Sequence, residues 1–160
     1  NDNRRPPQNN RGHTMNNSGY PVSLQLTGKN IIIIGGGKIA TRKAQGLLNT
    51  GANITIVAPT CTPELAQMPI TRIQSEYKPE HIQDAFLIFC CTNNQETNEQ
   101  ITKDAAPHQL INDCSTKERS NFYNMATIQK PDYLLAISTN GNDPTKTKAI
   151  REKIEQSTEF

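Results

Sequence analysis

The chain lacks any run of roughly 18 apolar residues, so it offers no membrane-spanning helix, and no apolar segment near its start has the form of a secretory leader. A soluble, cytoplasmic protein is therefore expected. An excess of charge of one sign is nearly missing too. The formal net charge of +2 is carried by residues 1 to 20, where Arg4, Arg5 and Arg11 face only Asp2, and the remainder is balanced. That balance implies no basic nucleic-acid-binding face. Cysteine is sparse: Cys61, Cys90, Cys91 and Cys114. Cys90 and Cys91 are adjacent and on a strand point to opposite faces, which suits neither a zinc knuckle nor a C-x-x-C redox pair. Reduced, mostly buried thiols are expected. No grouping of His, Cys and Asp has metal-ligand spacing, so no metal site is expected. His81 and His108 read as surface histidines. Apolar periodicity is missing from NDNRRPPQNNRGHTMNNSGY, which predicts a disordered tail over residues 1–20. Met15 within it reads as a natural first residue, those ahead of it being an addition for expression.

What is there is concentrated between Asn30 and Ala40, NIIIIGGGKIA. Ile31 to Ile34 form an uninterrupted β-branched run, the pattern of a central parallel strand buried on both faces. Gly35, Gly37 and Ala40 then fit G-x-G-x-x-A. Gly35 permits a sharp turn, Gly37 removes the Cβ that would block a pyrophosphate, and Ala40 lets helix and strand pack closely. The free N–H groups of the first helical turn and the positive end of the helix dipole favour an anion there. Ala40, Ala44, Leu47 and Leu48 share one face of the helix, and Gly51 is expected to end it. A second strand, Asn53 to Val57, completes a βαβ unit of the usual length. The other reading is a glycine-rich turn in a parallel sheet without a ligand. One expected element is absent: no Asp or Glu follows the second strand at Ala58-Pro59-Thr60 to hold a ribose hydroxyl, so charge does not choose between NAD and NADP.

The α/β alternation continues. Val22 to Leu26 alternates like an edge strand, Thr62 to Gln67 reads as a short helix, and Ile70 to Ser75 as a short strand. Ala85 to Cys91 is a continuous apolar strand, followed by a helix over Gln95 to Ala106 and a strand over Gln109 to Cys114. Ligands of such sheets bind beyond the carboxyl ends of the strands, which places Thr92, Asn93 and Asp113 to Ser115 on the rim of the glycine turn. Past Ser115 the chain turns polar, then gives a strand over Asp132 to Ser138 and a charged helix over Lys146 to Glu155. That helix has a thin apolar stripe, Ala149, Ile150 and Ile154, and is expected to pack on a second subunit or a segment beyond this chain.

Together these segments resemble the siroheme synthase N-terminal family, the precorrin-2 dehydrogenases. The likeness rests on PVSLQLTGKNIIIIGGGKIATRKAQGLL with GANITIVAP, on FLIFCCTNNQETNEQI, where the family shows Ala-Thr-acid-acid and a later Asn, and on LLAISTNGNDPTKTKAIREKIE. It covers roughly residues 21 to 156. The resemblance implies an α/β fold with a Rossmann-like parallel sheet over 21–114, a small β/α dimerisation segment over 115–145, and at 146–160 the start of a C-terminal helical region expected to be truncated. It implies NAD-dependent oxidation of precorrin-2 to sirohydrochlorin, a homodimer, and no nucleic-acid or membrane partner. Cofactor contacts carried over by position are Gly35, Gly37, Lys38 and Ile39 at the turn with Ala40 of the motif, Pro59 and Thr60 after the second strand, and Thr92 and Asn93 after the later one.

The catalytic position departs from the family. Where members carry an aspartate ahead of a Ser-Phe, this chain has Ser115, with Asp113 two residues earlier and on the same side of an extended backbone. Ser115 and Asp113 are therefore the catalytic candidates, Asp113 alternatively capping a turn. The missing carboxylate weighs against iron insertion more than against dehydrogenation, since insertion must strip pyrrole protons whereas hydride transfer depends chiefly on positioning. Met125 also stands where a proline is common. Arg42 and Lys43 either meet carboxylates of a polyacidic tetrapyrrole or form a solvated helix face, and Lys117 and Arg119 are equally open. A different class, a non-catalytic NAD-binding regulatory module, would not need the segment from Ser115 to Lys153 in this form. A third reading is a truncated member that binds NAD without turnover.

Overall fold

Four consecutive isoleucines have no polar side to give to water, and the fold answers by burying them between two layers. The computed structural model describes residues 19–157. Residues 1 to 18 of the expected disordered tail, and 158 to 160 of the last segment, lie outside the described residues. Strands β1 (Asn30–Ile34), β2 (Asn53–Val57), β3 (Thr71–Ile73), β4 (Leu87–Cys90) and β5 (Leu110–Asp113) form a sheet in the order β3-β2-β1-β4-β5. Every pairing is parallel. Helices α1 (Lys38–Leu47), α2 (Pro63–Gln67) and α3 (Gln95–Asp104) supply three of the crossovers, and a 3-10 turn at Pro79–Ile82 lies in the one from β3 to β4. Alternate residues of β1 feed two cores: Ile31 and Ile33 pack with Ala40, Ala44, Leu47 and Phe89, whereas Ile32 and Ile34 pack with Ile82, Ile88, Cys90 and Ile101. Cys90 and Cys91 fall in opposite cores, as strand alternation requires.

Expected and observed elements agree in kind, with three corrections. Val22 to Leu26 is not a strand. Its alternation is real, but both flanks of β1 are taken by β2 and β4, and the few residues from Leu26 to Asn30 cannot carry it to a sheet edge two strands away, at about 4.8 Å per strand. Leu26 alone of this stretch is buried, in the core that holds Ala44 and Leu47. Leu48 lies beyond the last turn of α1 and is exposed; the helix ends at Leu47, and Gly51, at φ 74°, instead shapes the return loop, its carbonyl accepting from Gly28 N–H. Last, Ala126–Gln129 forms an unexpected strand, β6, antiparallel to β7 (Leu134–Ile137). A four-residue ATIQ stretch carries no pattern of its own and becomes a strand through its hairpin partner.

Helix α4 (Pro144–Gln156) rests on that hairpin with no buried residue. In the unit of β6, β7 and α4, Ile128 is the one buried apolar residue. Leu134 and Tyr133 remain exposed beside it. Among the described residues no helix is long and apolar enough to cross a membrane, and no group of three or more His, Cys, Asp or Glu side chains is placed to hold a metal ion.

Candidate functional site

The sheet order reverses at β1 and β4, so the crevice of this fold opens beyond Ile34 and Cys90. Each glycine of the turn filling it has its own reason to be there. Gly35 has φ 123°, and a Cβ on it would strike the Cys91 carbonyl. Gly36 is the tightest position: a Cβ would run into the Thr60 carbonyl oxygen and come within 2.9 Å of Cys61 Cα, while the Gly36 carbonyl accepts from Thr62 N–H. Gly37 is the opposite case. It is exposed, and a Cβ there would meet nothing within 4 Å. It N-caps α1 without a side-chain hydrogen bond, and the first turn contains no acidic residue. The first N–H groups of a helix have no partner inside it, so this end presents donors and positive dipole to an open space bordered by Lys38. A dinucleotide pyrophosphate fits that chemistry.

Around this turn the expected contacts lie on one rim. Lys38, Ile39, Pro59, Thr60 and Asn93 are exposed, whereas Ala40 is buried against the sheet, as close helix packing requires. Thr92 is held through Asn98, a residue with no exposed surface. Asn98 Oδ1 accepts from Thr92 N–H at 3.3 Å and from Thr92 Oγ1 at 2.6 Å, and its Nδ2 donates to the Thr92 carbonyl and, at 3.2 Å, to Ser115 Oγ. One buried amide therefore ties the carboxyl end of β4 to that of β5.

Ser115 and Asp113 come together as spaced. Ser115 is exposed; its hydroxyl donates to Asp113 Oδ1 at 2.6 Å and its N–H to the same oxygen at 2.8 Å. Thr116 N–H also reaches Oδ1, and Arg119 Nε donates to Oδ2 at 2.6 Å. The Asp113 side chain has no exposed surface. Burial pushes its carboxyl up, but the Ser115 hydroxyl, the Arg119 guanidinium and the Ser115 N–H together outweigh that and hold it below the usual carboxylate range. Arg119, open from sequence, is thus the buried aspartate's partner, with Glu99 behind it at 3.9 Å.

Ser115 and Cys114 open onto a groove of about 710 Å³ between α1 and the segment after β5, which Arg42, Lys43, Lys117 and Asn124 also line. Lys43 Nζ donates to Asn124 Oδ1 at 2.6 Å and lies 5.0 Å from the Phe89 ring centroid. The groove therefore has cationic walls and a hydroxyl at its rim. Residues that sequence reasoning assigned no role are Gly36 and Asn98. Gly36 stood at an unspecified position of the motif, and Asn98 is an exposed-looking polar residue in a polar helix whose burial depends on the fold.

Comparison with known proteins gives a consistent result. Residues 22–126 match a family model described as "Putative NAD(P)-binding". The chain is 34% identical to a precorrin-2 dehydrogenase of Bacillus subtilis (strain 168), over 85% of this chain and 86% of that protein. It is 35% identical to a precorrin-2 dehydrogenase of Priestia megaterium, over 84% of this chain and 69% of the relative. Siroheme synthase 3 of Aeromonas hydrophila is 31% identical, and there the match spans only 30% of the relative. The solved structure of SirC, a precorrin-2 dehydrogenase, superposes with a TM-score of 0.77 at 34% identity, covering 85% of this chain and 69% of that one.

Proposed function

From the premise that this chain belongs to the precorrin-2 dehydrogenase family, we propose that it performs the NAD-dependent dehydrogenation of precorrin-2 to sirohydrochlorin in sirohaem biosynthesis. The observation that carries this reading is the adjacency, on one rim, of an open phosphate cradle at Gly37 and a cationic groove edged by Ser115. NAD, when bound, supplies the hydride acceptor. The chain's part is binding and orientation. The N–H groups at Lys38, Ile39 and Ala40 take the pyrophosphate, with Gly35 making the turn and Gly37 giving the ligand room, Pro59 and Thr60 border the adenosine side, and Thr92 and Asn93 the nicotinamide side. Arg42, Lys43 and Lys117 meet substrate carboxylates in the groove. Ser115 Oγ, its own proton committed to Asp113, turns a lone pair outward to accept an N–H of the macrocycle. Asp113 is buried, ionised and fully engaged, so it positions Ser115 and does not itself take a substrate proton.

Incubated anaerobically with precorrin-2 and NAD+, the protein is expected to form NADH stoichiometrically with sirohydrochlorin, and Ser115→Ala to lower kcat roughly tenfold or more with little change in NAD+ affinity. NAD+ binding without NADH would reduce the chain to a binding module. An unchanged rate in the Ser115 variant would remove that residue from the chemistry. Without a carboxylate at position 115, sirohydrochlorin with ferrous or cobalt ions should gain metal no faster than in buffer.

The reading extends to assembly. Residues 21–114 serve as the NAD-binding domain and 115–145 as the dimerisation segment. The thinly buried unit of β6, β7 and α4, with Tyr133 and Leu134 exposed, has apolar surface that a second copy would cover. Sedimentation equilibrium is expected to give a dimer that Leu134→Asp weakens by at least tenfold; a monomer at all concentrations would end this part of the proposal. A cytoplasmic setting agrees with four cysteines that are all free thiols.

A further inference from the structure

Two thiols on the rim take no part in the reaction above. Cys91 directly follows β4 and Cys114 directly follows β5, and these strands are parallel partners in register Cys90 to Asp113. The Cys114 N–H donates to the Cys90 carbonyl, which sets Cys91 and Cys114 side by side one step further on. Both side chains turn to the α1 side of the sheet, and their Sγ atoms lie 3.2 Å apart. Neither is bonded to the other.

The environments of the two sulfurs differ in a useful way. Cys91 is buried, whereas Cys114 is half-buried and lines the groove beside Arg42 and Lys43. The hydrogen bond from Cys91 lowers the Cys114 thiol against the burial that opposes it, and the Lys43 and Arg42 cations add to that lowering. The same hydrogen bond and burial push Cys91 up. Cys90, in the other core, is pushed up by burial and by the Asp113 charge and stays inert. An accessible nucleophilic thiol thus has a second thiol directly behind it, the pairing that disulfide exchange requires.

We propose that Cys91 and Cys114 are a redox modification site, closing to an intramolecular disulfide when a low-molecular-weight disulfide enters the groove. The Cys114 thiolate attacks one sulfur of the oxidant RSSR, forming a Cys114–SR bond and releasing RS⁻. Cys91 then gives up its proton and attacks Cys114 Sγ, expelling the second RS⁻. The two cysteines lose two electrons and two protons, and RSSR becomes two RSH. A 3.2 Å contact needs about 1 Å of closure to reach bonding distance, which neighbouring strand ends can supply.

The consequence for turnover rests on the proposed function, whereas the bond itself does not. Closure draws together the residues just ahead of Thr92 and Ser115, and the Cys91 carbonyl already fills the space beside Gly35. A shift of that size misplaces reacting groups by enough to cost about tenfold or more in rate.

The test is oxidised glutathione on the whole protein, followed by mass mapping without reduction. The expected product lacks the mass of two hydrogens, links the peptide containing Cys91 to the peptide containing Cys114, survives in Cys90→Ala, and is abolished in both Cys91→Val and Cys114→Val. Dehydrogenase rate should fall about tenfold or more on oxidation and return with dithiothreitol. A stable glutathione adduct on Cys114 without the link, a link through Cys61, or no thiol consumed would each overturn the proposal. A mapped link with an undiminished rate would uphold the modification site and count against the catalytic role given to Ser115.

Discussion

Gly36→Ala should destabilise the protein by about 3 kcal/mol or more, while Gly37→Ala, one residue on, should leave it folded and unable to hold NAD+ well. The contrast comes from what each added Cβ would meet. At Gly36 it meets the backbone of Thr60 and Cys61, which α2 and its Thr62 N-cap fix in place, so the turn or the loop after β2 has to move. At Gly37 it meets no protein atom within 4 Å and projects into the space that the pyrophosphate would occupy. The Gly37 backbone, at φ −87°, suits alanine, so the loss in folding should stay within about 1 kcal/mol, the range of an N-cap change. Affinity for NAD+ should fall at least about tenfold, near 1.4 kcal/mol. Thermal melts with and without NAD+ read both quantities from one sample. Normal NAD+ stabilisation in the Gly37 variant would show that the ligand does not approach there.

Asp113→Ala should cost about 3 kcal/mol, because it leaves the Arg119 guanidinium and the Ser115 and Thr116 N–H groups without their shared acceptor. Asp113→Asn keeps the shape and one acceptor oxygen, but its amide NH₂ or its uncharged oxygen must face Arg119, so it should fall between the variant with Ala and the parent. The pH dependence has a definite sign. The folded-state pKa of Asp113 is depressed, so its contribution is fully present above the unfolded carboxylate value of about 3.9 and is lost as pH falls through the lower folded value. The parent should therefore lose more stability than Asp113→Asn on acidification below about pH 4, and the two curves should converge there. Urea midpoints across that range measure it; parallel curves would mean the carboxylate is not held ionised by this network. Because Asp113 acts through Ser115, its Asn variant should lower kcat more than it raises KM for precorrin-2.

Much of the site could be read in the chain because it depends on local chemistry. The isoleucine run, the glycines and Ala40 each act within a few residues of one another, and a parallel strand leading into a helix N-terminus follows from them without knowledge of distant partners. The spacing of Asp113 and Ser115 was equally local: an extended backbone puts them on one side, and they touch. Other features depended on strands meeting across the sheet. Gly36 is constrained by Thr60, Asn98 is buried because it bridges Thr92 and Ser115, and the Cys91–Cys114 contact needs β4 and β5 in register. Sequence therefore determined the cradle, the alternation of strands and helices from β1 to β5, and the candidate hydroxyl. Only tertiary structure decided that Asp113 is a buried, saturated anion, that Val22 to Leu26 has no edge to join, and that two separate thiols are neighbours, since each is settled by pairings between residues too far apart in the chain for any local pattern to encode.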